Sequence, residues 1–209
     1  MQEITTYLRR SFLDPFKRFI QINSDFIQYE NKKIKMNQIK EIRYGILQMY
    51  INGIKANRIY EIGVNDKENN SIRITFQSSR LFVTNKELEQ KYIDIVNILE
   101  EYITKPLAIE AIENLKQGKK FLTQNLEIHP KGILMNLRRW FFKKESFFVE
   151  WKNLRKYYEE GNLCIYSEEN KRIQLKLNFQ KDWNTHVLSL VLEYLWKDGN
   201  AYSLAEDRF

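Results

Sequence analysis

One cysteine, two histidines, three prolines and seven glycines are all that 209 residues contain of those types. A single cysteine, Cys164, excludes an intrachain disulfide and fits a reducing compartment. It stands in an apolar strand pattern, Leu163-Cys164-Ile165-Tyr166, where a buried thiol is expected and a nucleophile is not. Neither His129 nor His186 has a second metal-type ligand at a usable spacing, so no metal or other cofactor is expected. The low glycine and proline content argues against linker-rich or disordered sequence. Also absent are Gly-x-Ser-x-Gly, a glycine-rich phosphate loop and His-Glu-x-x-His, so the expectation is a protein without catalytic activity. No run reaches the roughly 18 apolar residues of a membrane span, and the richest, Val187 to Trp196, contains Glu193. Met1 to Arg10 lacks the apolar stretch of a secretory signal. A cytoplasmic protein is expected, at most peripheral to the membrane.

What is present is apolar and aromatic: 43% of the residues are hydrophobic and 14% of the chain is Phe, Trp or Tyr, enough to build real cores. The charge balance is +7, which favours acidic partners such as anionic lipid, an acidic protein face or nucleic acid. That excess is spread evenly. Residues 1–105 hold roughly 17 basic and 13 acidic groups, and the remainder roughly 17 and 14, so neither half is a basic tail.

Laid side by side, the halves repeat. Met36-Asn37-Gln38-Ile39-Lys40-Glu41-Ile42-Arg43-Tyr44 matches Trp151-Lys152-Asn153-Leu154-Arg155-Lys156-Tyr157-Tyr158 as apolar residues at three-residue steps followed by an aromatic. That step does not suit a flat strand and predicts a strand end, a kink and a new strand. Upstream, Phe16 to Ile22 and Phe26 to Tyr29 flank the turn Asn23-Ser24-Asp25. Likewise Leu126 to Ile128 and Ile133 to Leu137 flank His129-Pro130-Lys131-Gly132. Downstream, Ile59 to Val64 pairs with Ser71 to Phe76, and Leu163 to Tyr166 with Ile173 to Phe179. Each half then closes on an amphipathic helix. The first runs from Lys86 to Ile103, with Thr84 and Glu87 as a capping box; the second carries Trp183 to Trp196, with Asp182 at its N-cap. Between them Pro106 opens a short helix ending near Gly118, with Ala108, Ala111, Ile112 and Leu115 as its apolar stripe.

This run of antiparallel strands with a closing helix resembles the pleckstrin-homology (PH) superfold. The second half resembles an uncharacterised PH-like family through Leu115-Lys116-Gln117-Gly118-Lys119-Lys120-Phe121, Leu126-Glu127-Ile128, Gly132-Ile133, Trp151-Lys152-Asn153-Leu154 and Gly161-Asn162-Leu163-Cys164-Ile165. The likeness covers residues 106–197, with the preceding half as a more divergent repeat. It implies an α+β, mainly β protein: two tandem PH-like units, each a bent antiparallel sheet or partly open barrel closed by a C-terminal helix, joined by a short helix. The expected divisions are residues 1–105, 106–118 and 119–209. The family carries no catalytic set, and fold analogy leaves the ligand open. Two departures stand out. Met36 replaces the tryptophan of the second half, and the first half adds about a dozen residues, Gly45 to Asn57.

Three segments are candidate binding surfaces. In Arg138, Arg139, Trp140, Phe141, Phe142, Lys143 and Lys144, basic residues flank three aromatics, a pattern that suits an anionic lipid headgroup boundary. An ordinary strand burying alternate aromatics is the competing reading. The apolar insertion Ile46, Leu47, Gln48, Met49, Tyr50 and Ile51 needs cover, from the chain itself, a second copy in a homodimer or a protein partner. Leu8-Arg9-Arg10-Ser11-Phe12 with Phe16-Lys17-Arg18-Phe19 interleaves basic and aromatic residues as single-stranded nucleic-acid binders do, but no recognition motif supports it. The leading expectation is a non-enzymatic binding or adaptor protein at an anionic membrane face or on an acidic partner. The alternative is a regulatory or immunity-type module that takes a peptide or protein at a sheet edge.

Overall fold

The computed structural model describes residues 3–11, 13–79, 86–123, 125–138 and 144–197. The chain is α+β and mainly β, with four antiparallel sheets, a long central helix and a C-terminal helix. It divides into two compact units, residues 1–106 and 107–209.

In the first unit β1 (Ile4–Leu8), β2 (Arg18–Ile22), β3 (Phe26–Tyr29) and β4 (Lys32–Lys35) form a four-stranded meander. The Asn23 carboxamide oxygen sets the β2–β3 turn by accepting from the backbone N–H of Asp25 (2.9 Å) and Phe26 (3.1 Å). A 3₁₀ turn at Met36–Gln38 leads into a second, three-stranded meander of β5 (Ile39–Ile51), β6 (Ile54–Asp66) and β7 (Ser71–Ser79). This corner explains the three-residue step. A 3₁₀ turn eclipses residues three apart, so Met36 and Ile39 share a side. A register shift between Ile39 and Glu41 then leaves Lys40 extra on β5, and Ile42 also returns to the core.

In the second unit β8 (Phe121–Thr123), β9 (Leu126–His129), β10 (Gly132–Arg138) and β11 (Lys144–Glu150) again form a four-stranded meander. Gly132 is required there, because a Cβ would stand 2.3 Å from the Val149 carbonyl oxygen. A 3₁₀ turn at Trp151–Asn153 precedes β12 (Leu154–Glu159), β13 (Asn162–Ser167) and β14 (Gln174–Asn178). β12 has no register shift, so Tyr157, three residues after Leu154, points away from the core and is exposed. The two corner motifs, alike in sequence, therefore diverge at their third apolar position.

Both halves had more strands than their local pattern indicates: β1, β4, β8 and β11 are short or carry polar residues at most positions.

Helix α1 (Lys86–Leu99) closes the first unit with Tyr92, Ile95 and Leu99 inward. Tyr92 meets Tyr60 of β6 at 4.9 Å between ring centres, and Tyr60 stacks on Phe76 of β7 at 5.0 Å. The helix does not end after Ile103 as expected. A π-helical turn, Glu100–Thr104, leads directly into α2 (Lys105–Lys116), so residues 86–116 are one helix and the division between units falls inside it. Pro106 does not break it. The Lys105 N–H donates to the Glu100 carbonyl five residues back, and this wider turn relieves the clash a proline ring makes in an α-helix. Thr84 of the expected capping box lies outside the described residues.

Helix α3 (Thr185–Trp196) begins two residues later than expected. Its N-cap is Asn184, in a left-handed conformation, while the Asp182 carboxylate accepts from the Asn178 N–H at 2.6 Å. Val187, Leu188, Val191, Leu192 and Leu195 fill the second core. The Trp151 indole N–H donates to the Pro130 carbonyl (2.8 Å), and its ring meets Trp196 edge-on at 5.7 Å.

Candidate functional site

The insertion of the first unit is an extension of the β5–β6 hairpin. Both strands are 13 residues long, against six in each of β12 and β13. Its turn is Asn52-Gly53, with φ of 50° and 78°. Two positive φ values in a two-residue turn match the twist of the strands, and Asn-Gly is the pair that adopts them most readily. Ile51 pairs with Ile54 beside the turn, and Tyr50 with Lys55. The described pairing of β6 with β7 reaches Asn57, opposite Ser79, and beyond it, among the described strands, the hairpin end pairs β5 with β6 alone.

This end is apolar and uncovered. Ile46, Leu47, Met49, Tyr50, Ile51 and Ile54 are 41–67% exposed. They make six of the fifteen large exposed apolar side chains among the described residues, gathered within nine positions, whereas scattered ones would mean nothing. Strand alternation, counted from buried Ile42 and Tyr44, puts Ile46 and Tyr50 on the side that continues the core. Leu47, Met49 and Ile51, with Ile54 opposite, lie on the other side. No Asp or Glu occurs between Glu41 and Glu61, while Arg43, Lys55 and Arg58 do. Arg43 meets Glu61 at 3.3 Å and Arg58 meets Glu89 at 2.7 Å. Among the described residues, the insertion's need for cover, read from composition, is thus unmet. Ile54 was not singled out in the sequence, although an apolar residue directly after Asn-Gly signals a paired partner for Ile51.

The basic-aromatic segment connects β10 to β11. Arg138 and Lys144 pair across the ladder at its base, and Lys144 is exposed. Arg139, Trp140, Phe141, Phe142 and Lys143 lie outside the described residues. The N-terminal segment is dispersed. Leu8 is buried, Arg18 pairs with Asp14 at 3.2 Å, and Phe16 is exposed. Phe12 lies outside the described residues.

A feature the sequence did not suggest is a concavity of about 680 Å³ on the outer side of β12–β14, lined by Tyr157, Glu159, Lys171, Arg172, Gln174 and Lys176. Gln174 donates to the Tyr157 hydroxyl (2.8 Å), and Lys176 pairs with Glu159 (3.3 Å), which raises the lysine pKa. Cys164, fully buried in β13, sits beneath this face between Tyr157 and Lys176. The histidines have ordinary neighbours: His129 stands 3.4 Å from Glu127, and His186 lies against Phe179 with ring centres 4.6 Å apart. Among the described residues no group of three His, Cys, Asp or Glu side chains could hold a metal ion. No described helix is long and apolar enough to cross a membrane.

Compared with known protein families, curated proteins and solved structures, the chain matches none of them.

Proposed function

We propose that this chain is a non-enzymatic binding protein built from two PH-like units, and that it docks on an anionic partner through the end of the β5–β6 hairpin. Support for the PH-like reading comes from the repeated order of a four-stranded meander, a 3₁₀ corner, a three-stranded meander and a helix. The observation that carries the docking reading is the exposure of Ile46, Leu47, Met49, Tyr50, Ile51 and Ile54 on the acid-free end of one hairpin. Exposed apolar area concentrated in this way favours removal from water by a partner. The absence of carboxylates selects an anionic one.

The alternative of strand addition also has an observation in its favour. Among the described strands β5 pairs only with β6, so its other edge offers backbone groups to a peptide. Both readings use the same hairpin.

A photo-reactive phenylalanine analogue placed at Tyr50, in the chain expressed in cells, tests the docking surface. The same analogue at Leu122, an equally exposed position of the second unit, is the control. Adducts formed from position 50 and not from 122 are expected. If position 50 yields none, the hairpin is not a docking surface.

A further inference from the structure

Resting on the docking reading above, we infer that the partner of this hairpin is an anionic lipid bilayer, into whose interfacial region the ribbon end inserts. Three properties of the ribbon select lipid over a protein face or a second copy.

The first is two-sidedness. Leu47, Met49, Ile51 and Ile54 occupy one broad side, while Ile46 and Tyr50 occupy the other. A flat protein surface covers one side of a strand pair and leaves the other wet. A medium that surrounds the ribbon covers both.

The second is depth. Strands rise about 3.4 Å per residue, so Met49, Tyr50, Ile51 and Ile54 all lie within about 10 Å of the Asn52-Gly53 turn. Interfacial segments bury their apolar side chains to a depth of about 5–10 Å, which is the span these four occupy. Tyr50 has the amphipathic ring that settles at headgroup level.

The third is charge. Residues 42–60 contain three basic side chains and no acidic one. Arg43 and Arg58 are engaged by Glu61 and Glu89, whereas Lys55 has no ion partner among the described residues. Its long stem lets the ammonium reach phosphate oxygens while the neighbouring isoleucines insert. Two copies meeting through this end would bring their Lys55 ammonium groups together with no carboxylate between them, which disfavours a homodimer.

The test is sedimentation of the full chain with vesicles of neutral phosphatidylcholine, and with vesicles in which about 30% is replaced by phosphatidylserine. Pelleting with the anionic vesicles is expected, weakened by at least about tenfold in the double variant Ile51→Glu/Ile54→Glu. Both positions are exposed beside the turn, so the variant keeps its core. A second readout uses Ile54→Cys carrying an environment-sensitive dye. Cys164, the chain's single cysteine, is fully buried, so the label reports position 54. A blue shift on adding anionic vesicles is expected. Equal pelleting of the double variant, or pelleting without a blue shift, overturns insertion by this hairpin. No pelleting, with protein adducts still formed at position 50, overturns the lipid partner and leaves the docking surface standing. No pelleting and no adducts bring down both.

Discussion

Tyr44 and Tyr92 illustrate what a single buried phenol does to the pH dependence of the first unit. Burial pushes Tyr44 up to about 12, opposed by the Thr104 hydroxyl and reinforced by Glu100. Tyr92 is raised as well, first by burial and then by Tyr44 and Tyr60. In the unfolded chain both titrate near their ordinary value of about 10. Between pH 10 and 12 the unfolded state therefore loses protons that the folded state retains. Their stabilisation is complete below pH 10 and is lost as pH rises through the folded values. Alkaline unfolding followed by circular dichroism should accordingly steepen above pH 10. Tyr44→Phe should flatten that fall, and an unchanged slope would count against a buried phenol there. None of this is legible locally: Tyr44 and Tyr158 close matching motifs, yet one is buried and the other is half exposed.

Elements differ in how far neighbouring residues dictate them. Turns are the most local, and the two long hairpins make the point. Asn52-Gly53 and Glu160-Gly161 both adopt positive φ at both positions, with Glu160 at 47°. Asparagine adopts that conformation readily, whereas glutamate adopts it at a steric cost. Glu160→Asn should therefore stabilise the second unit by roughly 0.5–1 kcal/mol, part of the left-handed penalty of an ordinary residue. A urea midpoint that falls would contradict this. The central helix is less local. Proline at 106 is a sound stop signal in an α-helix, but the π turn before it removes the clash, and a π turn has no sequence pattern of its own. Likewise the three-residue step at 36–42 depends on a bulge at Lys40 that its near-copy at 151–157 lacks, because bulges are set by the partner strand.

At the scale of the molecule, each unit closes its own sheets and helix over its own core. All four tryptophans, Trp140, Trp151, Trp183 and Trp196, belong to the second unit, so their fluorescence reports that unit alone. Tyr60 lies at the centre of the first core between Phe76 and Tyr92. Tyr60→Ala should cost the first unit roughly 3–5 kcal/mol, as large aromatic truncations do. Its far-UV dichroism should then show an early transition, with the tryptophan transition left near its wild-type position. Coincident transitions would mean that the units unfold together.

Composition and periodicity alone determined the mainly-β class, the turns at residues 23–25 and 129–132, the amphipathic faces of α1 and α3 and the burial of Cys164. Each of these depends on neighbours within a few positions, where strand and helix periods leave a direct mark. The segment Ile46 to Ile51 was also marked there as apolar and in need of cover. Only the tertiary structure decided that its side chains are left exposed among the described residues. Exposure depends on which strands lie beside the hairpin, and β6 meets β7 through residues up to 22 positions apart, such as Asn57 and Ser79.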